Sequence, residues 1–177
     1  MDKRVERTQK AIFSAYVELA SKKKKITIKE ICEIANINKS TFYRNFLDLA
    51  DLQHKITENI SDYIINNFKS IDLLYEDTKK FILDFALLIL EIVERNNFDI
   101  QISKISSLIM TLTIKFKDYY TSKDFHNFNF ERSIFVTGGI IAFLERNGDV
   151  LLSVAVKDLL NNIDFISKYT SAVFHYN

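Results

Sequence analysis

Proline and tryptophan are absent from this chain of 177 residues, glycine occurs three times and cysteine once. With almost no Pro or Gly, few residues interrupt a helix. The single Cys32 excludes an internal disulfide framework. Its place among apolar residues at helical spacing suggests a buried structural thiol rather than a sensor. Long apolar runs are missing too. The longest uncharged stretch, Ser133 to Leu144, has twelve residues, against the roughly twenty that a membrane-spanning helix requires. The N-terminus carries no apolar leader. The expected protein is therefore cytoplasmic, makes no membrane contact and has an all-α fold.

Arrangements that would support catalysis are missing as well. His54, His126 and His175 are far apart in sequence, and no metal site is expected at them. There is no Gly-rich phosphate loop and no nucleophile elbow. Asp84 and Glu91 share one side of a helix with Lys80 and Arg95, which reads as a surface ion-pair stripe. No enzyme activity, metal or cofactor is expected.

What is present lies mainly between Ile26 and Phe46. Thr27 and Glu30 have capping-box spacing, and Ile28, Ile31, Cys32 and Ala35 make one apolar helical stripe. Asn36 suits a tight reversal because Asn tolerates the left-handed conformation, and Asn38 is a good N-cap for the next helix. On that next helix Phe42 and Phe46 face inward, leaving Lys39, Ser40, Thr41, Tyr43, Arg44 and Asn45 outside. Hydroxyls and cations in such a row suit phosphate and base-edge contacts. The pattern predicts a helix-turn-helix over about 27–46.

Charge is distributed accordingly. The net charge is only +1, yet residues 1–60 hold twelve Lys/Arg against eight Asp/Glu, and the remainder twelve against fifteen. Positive charge gathers where the motif lies. The run Lys22-Lys23-Lys24-Lys25 reads either as a solvated turn favoured by the preceding helix dipole or as a phosphate contact.

From about Val5 to Ile64, roughly a third of the chain, the sequence resembles the DNA-binding domain of the tetracycline-repressor (TetR) family. The resemblance is carried by Arg7-Thr8-Gln9-Lys10-Ala11-Ile12-Phe13-Ser14-Ala15, Thr27-Ile28-Lys29-Glu30-Ile31, the turn Ala35-Asn36-Ile37-Asn38-Lys39, Thr41-Phe42-Tyr43-Arg44-Asn45-Phe46, and Asp48-Leu49-Ala50-Asp51-Leu52. Two departures stand out. Asn36 replaces the usual turn Gly, and Leu49 stands where many members have a Lys that touches DNA phosphate.

The resemblance implies about nine helices: a three-helix DNA-binding domain over 1–65 and a helical dimerisation and ligand domain over 66–177. Thr27, Lys39 and Tyr43 would contact phosphate, with Ser40, Thr41, Arg44 and Asn45 at base edges or nearby phosphates. Periodicity gives a fourth helix from Asp48 to about Phe68, with Leu52, Ile56, Ile60, Tyr63 and Ile64 inward. Further helices follow around Phe81–Arg95, Ile102–Tyr120, Phe130–Glu145 and Ser153–Val173. Gly138-Gly139 inside an apolar helix costs about 1 kcal/mol per Gly, which suggests close approach of another helix. Gly138, Gly139, Ile141, Leu159, Ile163 and Ile166 are the expected seam of a homodimer, on the apolar face from Ile134 through Leu144 and on the row Val156, Leu159, Leu160, Ile163 and Ile166 of the final helix. Phe81, Phe85, Phe116, Tyr120 and Phe135 read either as ordinary core or as the wall of a pocket for an apolar or aromatic effector.

The functional expectation is a homodimeric transcriptional regulator, a repressor, that binds a palindromic double-stranded DNA operator and is released by a small-molecule effector. The alternative is a TetR-like coactivator or protein-interaction module that does not act through its own DNA contacts.

Overall fold

The computed structural model describes residues 3–22, 25–70, 73, 76–96, 99, 106–123, 143, 146 and 150–175. Among these are eight helices and no strand: α1 (Lys3–Lys22), α2 (Ile28–Ile34), α3 (Lys39–Asn45), α4 (Leu49–Asn67), α5 (Thr78–Asn96), α6 (Ser106–Ser122), α7 (Leu152–Asn161) and α8 (Ile163–His175). No described helix is long and apolar enough to cross a membrane. Of the expected helix over 130–145 only Phe143 is described, and it is helical; Phe135, Gly138, Gly139 and Ile141 lie outside the described residues.

α1 buries Ile12, Ala15, Tyr16, Leu19 and Ala20 along one stripe. Its wet side carries Glu6–Lys10 at 3.5 Å and Glu18–Lys22 at 2.8 Å, each with the carboxylate N-terminal to the ammonium, the favoured order along a helix. α2 and α3 pack on α1 and on each other. Phe42 (0% exposed) and Phe46 fill the space between them, with Phe13 and Phe46 ring centroids 5.7 Å apart.

α4 leaves this unit and packs along α6, while α5 packs against α7 and α8. Its start is closed locally. Asp48 accepts the Asp51 N–H at 2.8 Å, and Asp51 accepts the Leu47 N–H at 2.9 Å. Leu52, Ile56 and Ile64 are buried as expected, but Tyr63 is exposed. The buried stripe of α4 runs instead through Thr57 and Ser61, whose hydroxyl donates to the Thr57 carbonyl at 2.8 Å and so is satisfied within the helix.

The last two helices differ from the single helix that periodicity suggests over 153–173. Asn162 separates them, with φ −113° and ψ 16°. Its amide donates to the Asp158 carbonyl at 2.8 Å, the local competition with the helix ladder for which Asn is known. α7 begins without a cap of its own. Asp99, distant in sequence, supplies one by accepting the Ser153 N–H at 2.9 Å and its hydroxyl at 2.6 Å. The anticipated ion-pair stripe of α5 is present, as Lys80–Asp84 and Glu91–Arg95, both at 2.9 Å.

Asp84 also accepts a hydrogen bond from the buried Ser70 just beyond α4. That bond, and then the Lys80 bond, hold the Asp84 carboxyl below its ordinary value of 3.8. Being depressed in the folded state, it contributes stability that is present above the ordinary value and is lost as pH falls through the lowered one. Asp84→Asn should therefore lower stability at neutral pH and flatten the acid limb of a denaturation series below about pH 4. A parallel loss at every pH would contradict this assignment.

Candidate nucleic-acid interface

The surface expected to make contacts is built by three consecutive caps. At the start of α2, the Glu30 N–H donates to Thr27 Oγ1 at 3.3 Å and the Thr27 N–H donates to Glu30 Oε2 at 3.0 Å, a complete capping box. The Thr27 hydroxyl also donates to Glu30 at 2.9 Å. At the other end of α2, Asn36 has φ 52°. Its N–H donates to the Glu33 carbonyl at 3.3 Å and the Ile37 N–H to the Cys32 carbonyl at 3.0 Å. These are the two bonds of a Schellman closure, with Asn in the left-handed position that Gly usually occupies. Asn38 then caps α3 by accepting the Thr41 N–H at 2.8 Å.

With α3 so started, Phe42 is sealed in the core and its neighbour Tyr43 is 54% exposed, the two rings meeting edge to face at 5.6 Å. Lys39, Ser40 and Arg44 are exposed; Thr41 and Asn45 are half-buried. The polar groups differ in how far they are already engaged. Ser40 donates to Asn38 Oδ1 at 2.7 Å. The Asn45 amide donates to the Thr41 carbonyl at 2.8 Å. Arg44 Nη2 donates to the Thr41 hydroxyl at 2.9 Å. The sequence set Thr27, Lys39 and Tyr43 at phosphate and left Ser40, Thr41, Arg44 and Asn45 undivided as candidates for base edges or nearby phosphates; these bonds separate those four. The signal for Asn45 was available, since an amide four residues after a carbonyl commonly back-bonds to it.

Ion pairing sharpens the picture. Lys10, Lys22, Lys29 and Lys55 each have a carboxylate at i±4. Among the described residues no carboxylate pairs with Lys39 or Arg44, and α3 contains no acidic residue. Cys32 is buried beneath this surface. Burial pushes its thiol up, the Lys39 ammonium partly offsets that, and Glu33 adds to it. A thiol kept protonated is a poor nucleophile.

Two residues at the α3–α4 corner depart from a cationic surface. Leu49 is half-buried and packs against the core, and Leu47 is 81% exposed. Sequence reasoning did not single out Leu47.

In the other expected sites, Phe81 and Tyr120 are buried while Phe85 and Phe116 are half-buried. Phe81, Phe85 and Phe116 meet one another and Phe68 with centroids 4.9 to 6.4 Å apart. Phe135 lies outside the described residues. Leu159 and Ile166, expected between two chains, are buried within this chain, as is Val156; Ile163 is half-buried. α5 packs against both α7 and α8. Among the described residues, the large apolar side chains left outside on these helices are Val154, Phe165 (60% exposed) and Tyr169 (61%), the last two with ring centroids 4.6 Å apart. Among the described residues no group of three or more His, Cys, Asp or Glu could hold a metal ion.

Compared with known proteins, the chain matches no family model, no curated protein and no solved structure.

Scaffold and surface separate by substitution. Phe42→Ala should cost about 3–5 kcal/mol of folding stability, because the ring is fully enclosed. Tyr43→Phe should leave the urea midpoint unchanged. A Phe42→Ala variant as stable as the parent would overturn the register of α3.

Proposed function

We propose that this chain is a DNA-binding transcriptional regulator of the TetR type, a repressor, in which α2 and α3 form a helix-turn-helix and α3 enters the major groove. The observation that carries the reading is the outer face of α3. Two cations, Lys39 and Arg44, stand there without carboxylate partners, beside an exposed Tyr43 and short hydroxyls, on a helix anchored from behind by Phe42. Lys39 sits in the first turn, where the helix dipole disfavours a cation, so its charge there gains nothing locally. A phosphate backbone would supply the missing anion. Tyr43 and Lys39 serve phosphate in this reading; Thr27, whose hydroxyl is already part of a capping box, is the weaker of the three expected contacts.

The reading divides the chain as the resemblance implies, into residues 1–65 for DNA and 66–177 for dimerisation and effector binding. Two copies of α3 on a palindromic operator must stand about 34–36 Å apart or a multiple of it, which requires a homodimer. Because Leu159 and Ile166 are buried within the chain, a seam on α7 and α8 would use the exposed Val154, Phe165 and Tyr169. An apolar effector among Phe81, Phe85 and Phe116 would displace existing ring contacts.

One feature favours the second reading, a coactivator or protein-contact module. Where a phosphate-binding Lys is usual, Leu49 packs inward between Asp48 and Asp51, and Leu47 projects beside them.

Duplex DNA of random sequence distinguishes the two. The regulator should bind with log affinity falling linearly in log salt, at about −0.9 per phosphate engaged; Lys39→Ala should reduce that slope by about one. Affinity indifferent to salt would favour the protein-contact module. Sedimentation at micromolar concentration should give twice the chain mass of 20.7 kDa. A species of single-chain mass would remove the paired-head mechanism.

A further inference from the structure

We propose that Arg44, held by the Thr41 hydroxyl, reads a guanine in each operator half-site, and that Ser40 and Asn45 donate to no base. This rests on the DNA-binding reading above. The bonds within α3 form a chain of supports. Asn38 fixes the Thr41 backbone through its N–H and engages the Ser40 hydroxyl with the same oxygen. Thr41 in turn receives Asn45 on its carbonyl and Arg44 on its hydroxyl.

The consequences differ for each side chain. A Ser hydroxyl has one hydrogen; that of Ser40 is committed to Asn38, so none is left for a base acceptor such as guanine O6 or N7. Asn45 reads adenine only by presenting its amide N–H and carbonyl together to N7 and N6. Its amide nitrogen is turned back onto the helix and the side chain is half-buried. Arg44 is exposed, and its guanidinium has five donors in a rigid fork. One contact to Thr41 leaves enough for a paired approach to guanine O6 and N7. Thr41 is thus a positioning residue: it fixes the direction of a long side chain whose freedom would otherwise blur the readout.

The test is selection of bound duplexes from a randomised pool by the full chain, comparing the parent with Arg44→Ala, Thr41→Val, Thr41→Ser, Ser40→Ala and Asn45→Ala. The parent should enrich a guanine at one position per half-site. Arg44→Ala should lose that preference by about tenfold to a hundredfold while keeping the other positions. Thr41→Val should weaken it at the same position only, and Thr41→Ser, which restores the hydroxyl, should recover it at equal melting temperature. Ser40→Ala and Asn45→Ala should enrich the parent sequence. An Arg44→Ala variant that still selects the parent sequence, or an Asn45→Ala variant that changes it, overturns the assignment while leaving DNA binding intact. A parent chain that enriches no sequence and binds without salt dependence overturns the DNA-binding reading and this assignment together.

Discussion

The reversal at Asn36 decides what the N-terminal helices present to their surroundings. The bonds from Asn36 to Glu33 and from Ile37 to Cys32 close α2 only because Asn36 holds φ 52°. Ile37 then returns toward the core and Asn38 caps α3 one residue later. The rotation of α3 about its axis is set by that short connection. One residue more or fewer would turn the helix by about 100°, withdraw Phe42 from its enclosure and carry Arg44 toward it. Packing then holds what the turn sets. Phe13, Phe42 and Phe46 form a run of tilted rings, and Lys55 lies 5.4 Å over the Phe46 ring from α4. The outer face of α3 is therefore a consequence of its inner face.

α4 carries this unit into the rest of the molecule, and side chains tie it along its length. Near its start, Gln53 donates to the buried Tyr16 hydroxyl at 2.9 Å. Burial raises that phenol above its ordinary range, partly countered by the Gln53 bond, so it stays neutral. Mid-helix, Lys115 of α6 reaches Glu58 at 3.0 Å and Asp62 at 2.7 Å. Those carboxylates are one turn apart and would repel each other without it. Its ammonium is held above its ordinary pKa chiefly by the Asp62 bond. At the C-terminal end, Phe68 enters the ring cluster of α5 and α6. An apolar contact, a neutral hydrogen bond and a shared ion pair thus join α4 to three other helices.

Local chemistry was legible in the sequence to the extent that it acts over a few residues. The Thr27–Glu30 box, the Asn36 turn, the Asn38 cap and the burial of Phe42 and Phe46 each depend on short spacing, and each appears as expected. Long-range supports were not legible. Nothing near Ser153 indicates that Asp99 would cap its helix, and nothing in the row Val156 to Ile166 says whether its cover comes from α5 or from another chain. Periodicity identifies an apolar face but not its partner. Tyr63 shows the same limit on α4, where apolar spacing suggested burial and the helix buried Thr57 and Ser61 instead. The Ser61 hydroxyl bonds back to the Thr57 carbonyl and so can be buried, which apolar patterning does not register.

The charge pattern of the N-terminal helices follows from where the acids fall. Lys10, Lys22, Lys29 and Lys55 have carboxylates one helical turn away. The residue four after Arg44 is Asp48, but the chain leaves the helix at Phe46 and the Asp48 carboxylate turns to cap α4. Lys39 has Ala35 and Tyr43 at those distances and so has no acid to meet. Exposed pairs of this kind are worth only about 0.3–0.5 kcal/mol, so their absence on α3 costs little stability. It changes which charges remain open to a partner. The same Asp48 and Asp51 that close α4 make its first turn acidic around an inward Leu49. A polyanion meeting this surface would be drawn to α3 and repelled from the start of α4. Its approach would thus be biased toward the side that carries Lys39, Tyr43 and Arg44.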